Sequence, residues 1–228
     1  MAGTRGGLDT GGMAARDQLE RPGAQQWVPE HGDVADLREA ASACRGCELW
    51  APATQVVFSS GTAHARMMMV GEQPGDKEDL QGEPFVGPAG SLLRRAVEDA
   101  GIDLGDVYLT NAVKHFHFEH RGKRRIHQKP ELGHMVACRP WLDAELKAVD
   151  PELIVPLGAT AVRVLLGPDV RVTKQRGQLL THETAIGARQ FVPTVHPSSI
   201  LRGPSSARQQ GYDAFVADLR TAAKVLSR

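Results

Sequence analysis

GEQPGDKEDLQGEPFVGPAG, residues 71–90, is the stretch that decides the fold. It follows the apolar run 67–70, which is typical of a buried strand, and precedes a helical pattern that begins near Ser91. α/β proteins commonly build a ligand site at the carboxyl end of a sheet from a strand, a loop rich in glycine and proline, and a helix. The loop lacks GxxxxGK(S/T) and GxGxxG spacing, so ATP or dinucleotide binding is disfavoured. Its carboxylates, backbone N–H groups and Phe85 suit a flat, neutral, hydrogen-bonding ligand such as a nucleobase.

The composition of the 228 residues favours one domain with a substantial core. Lys+Arg and Asp+Glu each total 27, so bulk charge does not indicate nucleic acid, although a local basic patch would be enough. Residues 1–25 show no apolar period, and we expect a disordered tail there and a single domain over 26–228. No apolar run approaches the roughly 20 residues that span a bilayer. We therefore expect a soluble, cytoplasmic monomer with no membrane partner.

Apolar runs alternate with helical periodicity along the rest of the chain. Strands are predicted at 55–58, 66–70, 106–113, 153–157 and 191–195, and helices at 34–43, 91–100, 135–149, 159–166 and 212–225. Residues 115–130 show neither pattern, and we interpret them as a long, basic, structureless loop. The alternation predicts an α/β fold, a three-layer α/β/α sandwich with a mostly parallel central sheet.

Three of the predicted strand ends carry polar side chains. Because the ends of parallel strands converge at one edge of a sheet, we expect Glu72, Asn111 and His196 to share a pocket. The alternative is that Asn111 caps the following turn and His196 hydrogen-bonds within its own loop.

The cysteines indicate a metal site. Cys44 and Cys47 form a CxxC pair, which in a chain without a disulfide framework favours metal or redox chemistry, and Cys138 is the third thiol. A thioredoxin-type site is disfavoured because the pair follows a helix-like segment. Three thiolates leave a tetrahedral site one ligand short, and the candidates for the fourth are His115, His117, His120 and His134. Zinc, an iron–sulfur cluster, and an incidental CxxC pair with Cys138 as a core thiol all remain open.

Five motifs together resemble the family 4 uracil-DNA glycosylases. They are the 71–90 loop, TNAVKH at 110–115, ACRPWL at 137–142, LGATA at 157–161 and HPSS at 196–199. That family carries a 4Fe–4S cluster on four cysteines, and one of those cysteines is replaced here by histidine. The resemblance thus implies a 4Fe–4S cluster whose ligands are Cys44, Cys47, His115 and Cys138.

At two places the sequence departs from family 4 and resembles its UdgX branch. Members of that branch excise uracil and stay covalently attached to DNA through a loop histidine. The first is Gln73, where family 4 has alanine, and the second is KRRIH at 123–127. In the UdgX-type interpretation His127 attacks C1′ of the sugar after uracil leaves. Glu72 orients His127 and accepts its proton, with Asp76 and Asp79 as supporting acids.

The resemblance also implies how uracil is read. Phe85 stacks on the flipped base, Asn111 pairs with O4 and N3–H, His196 donates to O2, and Gln73 belongs to the same pocket. Basic neighbours would keep His127 unprotonated. The residues expected to contact DNA are Lys123, Arg124, Arg125, Ser198, Ser199 and Arg202.

The expected partner is uracil-containing DNA, single- or double-stranded, with free uracil as a product. Two other functions stay open at this point. One is a turnover family 4 enzyme in which Glu72 activates a water molecule. The other is a zinc-stabilised nucleic-acid-binding module without activity.

Overall fold

The computed structural model describes residues 21–227. Of the tail expected over residues 1–25, the first 20 residues lie outside this range. The remainder is packed against the domain: Arg21 pairs with Glu48 at 2.6 Å, and Ala24 is buried. Within residues 21–227 no helix is both long and apolar enough to cross a membrane.

Eight α-helices and eight strands make up the described part of the chain. The helices are α1 (Val34–Ala41), α2 (Asp76–Gln81), α3 (Pro88–Asp99), α4 (Leu132–Val149), α5 (Ala159–Leu166), α6 (Val172–Gln175), α7 (Pro197–Arg202) and α8 (Ser205–Leu226). The strands are β1 (Ser59–Ser60), β2 (Met67–Gly71), β3 (Val107–Asn111), β4 (Phe118–Arg121), β5 (Arg124–His127), β6 (Leu153–Pro156), β7 (Leu180–Thr184) and β8 (Gly187–Phe191).

The central sheet has six strands in the order β1-β3-β2-β6-β8-β7. The four inner strands are parallel, and the two edge strands β1 and β7 are antiparallel to their neighbours. Successive side chains of β2 point to opposite faces. Met67 and Met69 pack against α3 and α8, whereas Met68 and Val70 pack against α4 and α5. The predicted α/β/α sandwich with a mostly parallel sheet is therefore confirmed.

The region predicted to be structureless, residues 115–130, contains a β-hairpin. Strands β4 and β5 pair antiparallel through a two-residue turn at 122–123, where Gly122 adopts a φ of 61°. Its strands escaped prediction because three of their eight residues are arginine, and charged side chains hide the alternation of a solvent-exposed ribbon. The register pairs His127 with Phe118, which places the histidine at the base of the hairpin.

Two predicted strands are wrong in position. Residues 55–58 form no strand; Phe58 instead packs edge-on against Trp141, with ring centroids 5.7 Å apart. The strand predicted at 191–195 ends at Phe191, since Pro193 cannot donate to a ladder. This strand, β8, pairs in parallel with β6 and antiparallel with β7. The β7–β8 hairpin was not predicted because its exposed face is polar.

Candidate active site

A cavity of about 640 Å³ opens at the carboxyl ends of β2, β3 and β6. The side chains of Glu72, Asn111 and His196 all line it, together with Gln73, Phe85 and His127. The three polar strand ends thus share one pocket, as their positions on a parallel sheet predicted. His127 reaches this pocket because it lies at the base of the β4–β5 hairpin.

The register of β2 and β3 brings Glu72 beside Asn111. Gly71 lies opposite Asn111, and the N–H of Val113 donates to the Glu72 carbonyl at 3.0 Å. A Cβ at Gly71 would lie 2.2 Å from Oδ1 of Asn111 and 2.7 Å from the Phe85 ring. Only glycine therefore lets the amide and the ring face the same space. Phe85 itself adopts a left-handed φ of 59°, which turns its ring into the cavity wall.

His196 presents a single N–H donor to the cavity. Its Nδ1 accepts a hydrogen bond from the Ser198 backbone N–H at 3.2 Å, and the Ser198 hydroxyl lies 2.8 Å away. Burial lowers the pKa of His196 to about 4, and the charge of Arg202 adds to this effect. The ring is thus neutral at pH 7 with its proton on Nε2. It lies nearly parallel to Phe85, with centroids 6.3 Å apart.

Gln73 contacts Nε2 of His127 and so bears on the tautomer of this ring. Oε1 of Gln73 accepts from the His117 backbone N–H, so its NH₂ group faces Nε2 of His127 at 2.9 Å. The carbonyls of His117 and Gln128 lie 3.1 and 2.9 Å from the same NH₂ group, so its two N–H bonds are shared among three acceptors. Because the NH₂ group cannot accept, this contact favours the tautomer in which Nε2 of His127 accepts and Nδ1 carries the proton. A neutral imidazole with an unprotonated Nε2 therefore stands at the cavity.

Glu72 lies on the other side of the same nitrogen. Its Oε1 is 3.6 Å from Nε2 of His127, and its Oε2 accepts a hydrogen bond from the Thr160 hydroxyl. Burial lowers the pKa of His127, the Glu72 carboxylate opposes this, and the Arg202 cation adds to it. Lys123, Arg124 and Arg125, the neighbours that the sequence suggested would keep His127 neutral, are not among these main causes.

Arg125 ties the hairpin to helix α2. Its guanidinium lies 2.6 Å from Oδ1 of Asp76 and 2.5 Å from Oδ2 of Asp79, which is fully buried. Asp76 does not line the cavity, and both acids face Arg125 rather than a reacting group. Lys123 and Arg124, by contrast, are exposed at the tip of the hairpin.

Helix α7 contributes the remaining residues expected to contact DNA. Ser198, Ser199 and Arg202 all line the cavity. Two further cavity residues, Lys129 and Thr160, had been given no role from the sequence. Thr160 could have been found, because it follows the β6 strand end within the LGATA motif.

The three cysteines are buried in one apolar cluster with Trp141. The Trp141 indole N–H donates to Sγ of Cys44, and the Lys114 backbone N–H donates to Sγ of Cys138, both at 3.3 Å. Burial raises the pKa of Cys47 to about 11 and that of Cys138 to about 12. N–H donors on buried sulfurs suit thiolates that bind an iron–sulfur cluster.

His115, the expected fourth ligand, is also buried, and burial lowers its pKa to about 4. A neutral imidazole is the form that binds a metal. Among residues 21–227 no group of three or more His, Cys, Asp or Glu side chains is arranged to hold a single metal ion.

Comparison with known proteins identifies the family. Residues 58–220 match the family model of the uracil DNA glycosylase superfamily. The chain is 37% identical to a type-4 uracil-DNA glycosylase of Thermotoga maritima, over 75% of this chain and 84% of the relative. It is 32% identical to the type-4 uracil-DNA glycosylase of Sulfurisphaera tokodaii, over 74% of this chain and 76% of that relative.

Proposed function

Because the chain belongs to the uracil-DNA glycosylase superfamily, we propose that it excises uracil from DNA and then stays joined to the DNA through His127. The enzyme class follows from the family: it is a uracil-DNA glycosylase, a hydrolase that acts on N-glycosyl bonds. The covalent step is supported by one observation. Gln73 holds His127 as a neutral imidazole with an unprotonated Nε2 at the cavity, 3.6 Å from Glu72.

Uracil is read after its nucleotide rotates out of the stack. The Asn111 amide donates to O4 and accepts from N3–H, and Phe85 supports the face of the base. Cytosine would present a donor to the amide N–H and an acceptor to the amide oxygen, which leaves buried polar groups unpaired. His196 donates its Nε2–H to O2 of uracil, where negative charge develops as the base leaves.

The covalent step balances without an external reagent. The C1′–N1 bond breaks, its electron pair leaves with uracil, and the sugar becomes an oxocarbenium ion. The Nε2 lone pair of His127 forms the new bond to C1′, which makes the ring an imidazolium, and the Nδ1 proton then passes to solvent. Uracil takes a proton from water. Holding Nε2 at the cavity gives it a large effective concentration over free water.

We propose a role for Glu72 that differs from the one expected from the sequence. Because Nε2 of His127 carries no proton, Glu72 has none to accept from it. We assign the carboxylate to electrostatic stabilisation of the oxocarbenium ion and of the imidazolium that follows. Thr160 holds its second oxygen.

DNA contacts are divided between the hairpin tip and α7. Lys123 and Arg124 are exposed and can meet phosphates, while Ser198, Ser199 and Arg202 border the cavity that receives the flipped nucleotide. Arg125 is committed to Asp76 and Asp79, so we assign it to holding the hairpin rather than DNA. Asp76 accordingly supports the site through Arg125 and takes no part in the chemistry.

We also propose a 4Fe–4S cluster held by Cys44, Cys47, Cys138 and His115. Three of these side chains share one buried cluster, and two of the sulfurs receive N–H donors. Such a cluster would cross-link the segment before β1, the turn after β3 and α4. That turn follows Asn111 directly, so the cross-link would stiffen the base-reading edge of the sheet.

A turnover enzyme is the second candidate. The Glu72 carboxylate lines the cavity and could activate a water molecule in the space beside His127. Both candidates release uracil, and they differ in whether the sugar ends on water or on His127. The inactive zinc-stabilised module is not favoured, because the family match covers an enzyme superfamily.

Release of free uracil tests the excision step shared by both candidates. An oligonucleotide with one uracil is incubated with excess protein, and free uracil is measured by chromatography. We expect wild-type protein to release uracil, and Asn111→Ala to release it at least about tenfold more slowly, since the amide makes two hydrogen bonds to the base. The same oligonucleotide with cytosine at that position is the control. Wild-type protein that releases no uracil would contradict the proposal.

A further inference from the structure

A fully buried ion pair lies beneath the base-reading strand. Nζ of Lys114 is 2.5 Å from Oε2 of Glu145, and the two side chains are only 1% and 0% exposed. The Tyr108 hydroxyl donates to Oε1 of Glu145 at 3.0 Å, and the Thr110 hydroxyl donates to it at 2.7 Å. Removing two charges from water is costly, and apolar residues often stabilise a core as well or better. A contribution to stability therefore does not explain why this pair is present.

The ammonium group of Lys114 reaches the residue that we assign to uracil. It donates to the backbone carbonyl of Asn111 at 3.0 Å and to the Thr110 hydroxyl at 2.6 Å, in addition to Glu145. Its three N–H bonds thus have three acceptors, which fix its position. The backbone N–H of the same residue donates to Sγ of Cys138. Lys114 therefore holds the turn that follows Asn111 through two contacts: its ammonium binds the Asn111 carbonyl, and its backbone N–H binds Cys138.

We propose that the Lys114–Glu145 pair is a positioning device that sets the Asn111 amide for uracil. Asn111 is the last residue of β3, and beyond it the chain turns away from the sheet. The ammonium holds its carbonyl from below, and Glu145, on α4, supplies the opposite charge and holds Lys114 in place. This inference rests on the proposed uracil-reading role of Asn111. An amide that must meet O4 and N3–H together tolerates little rotation of its backbone.

Two variants separate positioning from stability. Glu145→Gln leaves the Lys114 ammonium able to donate to Asn111, to Thr110 and to the new amide oxygen. Lys114→Met combined with Glu145→Gln removes both charges at similar volume and deletes the ammonium's contacts to Asn111, to Thr110 and to residue 145. For each protein we would measure the melting temperature, the maximal single-turnover rate of uracil release, the DNA concentration that gives half of that rate, and the rate with cytosine in place of uracil.

Between the two variants, the melting temperature and the rate of uracil release should change in opposite directions. Glu145→Gln should melt below wild type, because it leaves a buried ammonium without its counter-charge, yet keep the uracil rate within about twofold. The double variant should melt above Glu145→Gln but release uracil about tenfold more slowly, with less preference over cytosine. Its half-saturating DNA concentration should not change, because the phosphate contacts are intact.

A merely structural pair would give rates that follow the melting temperatures, with Glu145→Gln the slowest, and that result would overturn the inference. A double variant as fast and as selective as wild type would overturn it too. If the double variant does not fold, a folded Glu145→Gln that has lost uracil release suffices to refute it, since the Asn111 contact survives there. Wild-type protein that releases no uracil would defeat the proposed function itself, and an active wild type with an equally active double variant defeats only this inference.

Discussion

The side-chain amide of Gln73 donates a hydrogen bond of 2.9 Å to Nε2 of His127. The orientation of the amide is fixed because its oxygen accepts a hydrogen bond from the His117 backbone N–H. Gln73 is itself buried and borders the cavity. The sequence suggested that Gln73 contacts uracil; from its contact with Nε2 we propose that it selects the tautomer of His127.

Gln73→Glu should slow covalent capture while sparing uracil release. A carboxylate has no N–H to offer, so it would favour the tautomer with the proton on Nε2 and block the lone pair. We expect capture to slow by at least about tenfold, since a wrong histidine tautomer is costly in catalysis. The measurement is the ratio of cross-linked DNA to free uracil in a single turnover, with Gln73→Ala as a control that expresses no preference for either tautomer. A wild-type ratio in Gln73→Glu would contradict this role.

Capture should persist into mildly acidic solution and should depend on Arg202. The pKa of His127 lies below its ordinary value of 6.5, so the reactive neutral form predominates at neutral pH and is lost only as the pH falls through that lowered pKa. Arg202→Gln removes a cation that lowers the pKa, so the acid limb of the capture rate should move to higher pH. Rates are compared at saturating DNA, with exposed Lys147→Gln as the control. An unmoved acid limb in Arg202→Gln would rule out this electrostatic coupling.

Neighbouring arginines on β5 should have different effects. Arg124→Gln removes an exposed cation, so it should weaken DNA binding and lower the slope of log affinity against log salt by about one. Arg125→Gln removes a guanidinium that is 16% exposed and paired with two acids. It should leave the slope of log affinity against log salt unchanged. It should slow capture at saturating DNA, because the hairpin that carries His127 loses its ion pairs with Asp76 and Asp79. An equal decrease of this slope in both variants would show that Arg125 contacts DNA.

Iron content should follow the four proposed ligands. Anaerobically purified wild-type protein should contain iron and acid-labile sulfide, and Cys44→Ser and Cys138→Ser should lose both. His115→Cys should retain them, because a thiolate replaces an imidazole at the fourth position. Cluster binding should also release protons, since burial keeps Cys47 and Cys138 protonated at neutral pH. Stoichiometric zinc without iron would contradict the cluster, and full iron in a His115→Ala variant would exclude His115 as its fourth ligand.

Residues with a local signal could be placed from the sequence. The α/β/α sandwich and most of the cavity could be predicted from three signals: the buried run at β2, the helical period of α3 and α5, and the polar residues after strands. Each of these signals depends only on residues that are neighbours in the sequence. Glu72, Asn111 and His196 meet because parallel strands end together, a rule that needs only strand order.

Contacts between distant segments could not be predicted. Arg125 appeared to be a free cation because Asp76 and Asp79 lie nearly 50 residues away along the chain. The same applies to the pair of Lys114 and Glu145 and to the contact between Thr160 and Glu72. Polar and charged residues give no sign in the sequence of which distant partner they will contact.

One denaturing gel tests the covalent mechanism most directly. Protein is mixed with a labelled oligonucleotide carrying one uracil, heated in SDS and separated. We expect a slower, heat-stable band for wild-type protein. His127→Ser should lose this band while still releasing uracil and leaving an abasic site, because base expulsion depends on Asn111, Phe85 and His196. A heat-stable band that persists in His127→Ser, or no such band from wild-type protein that has released its uracil, would contradict it.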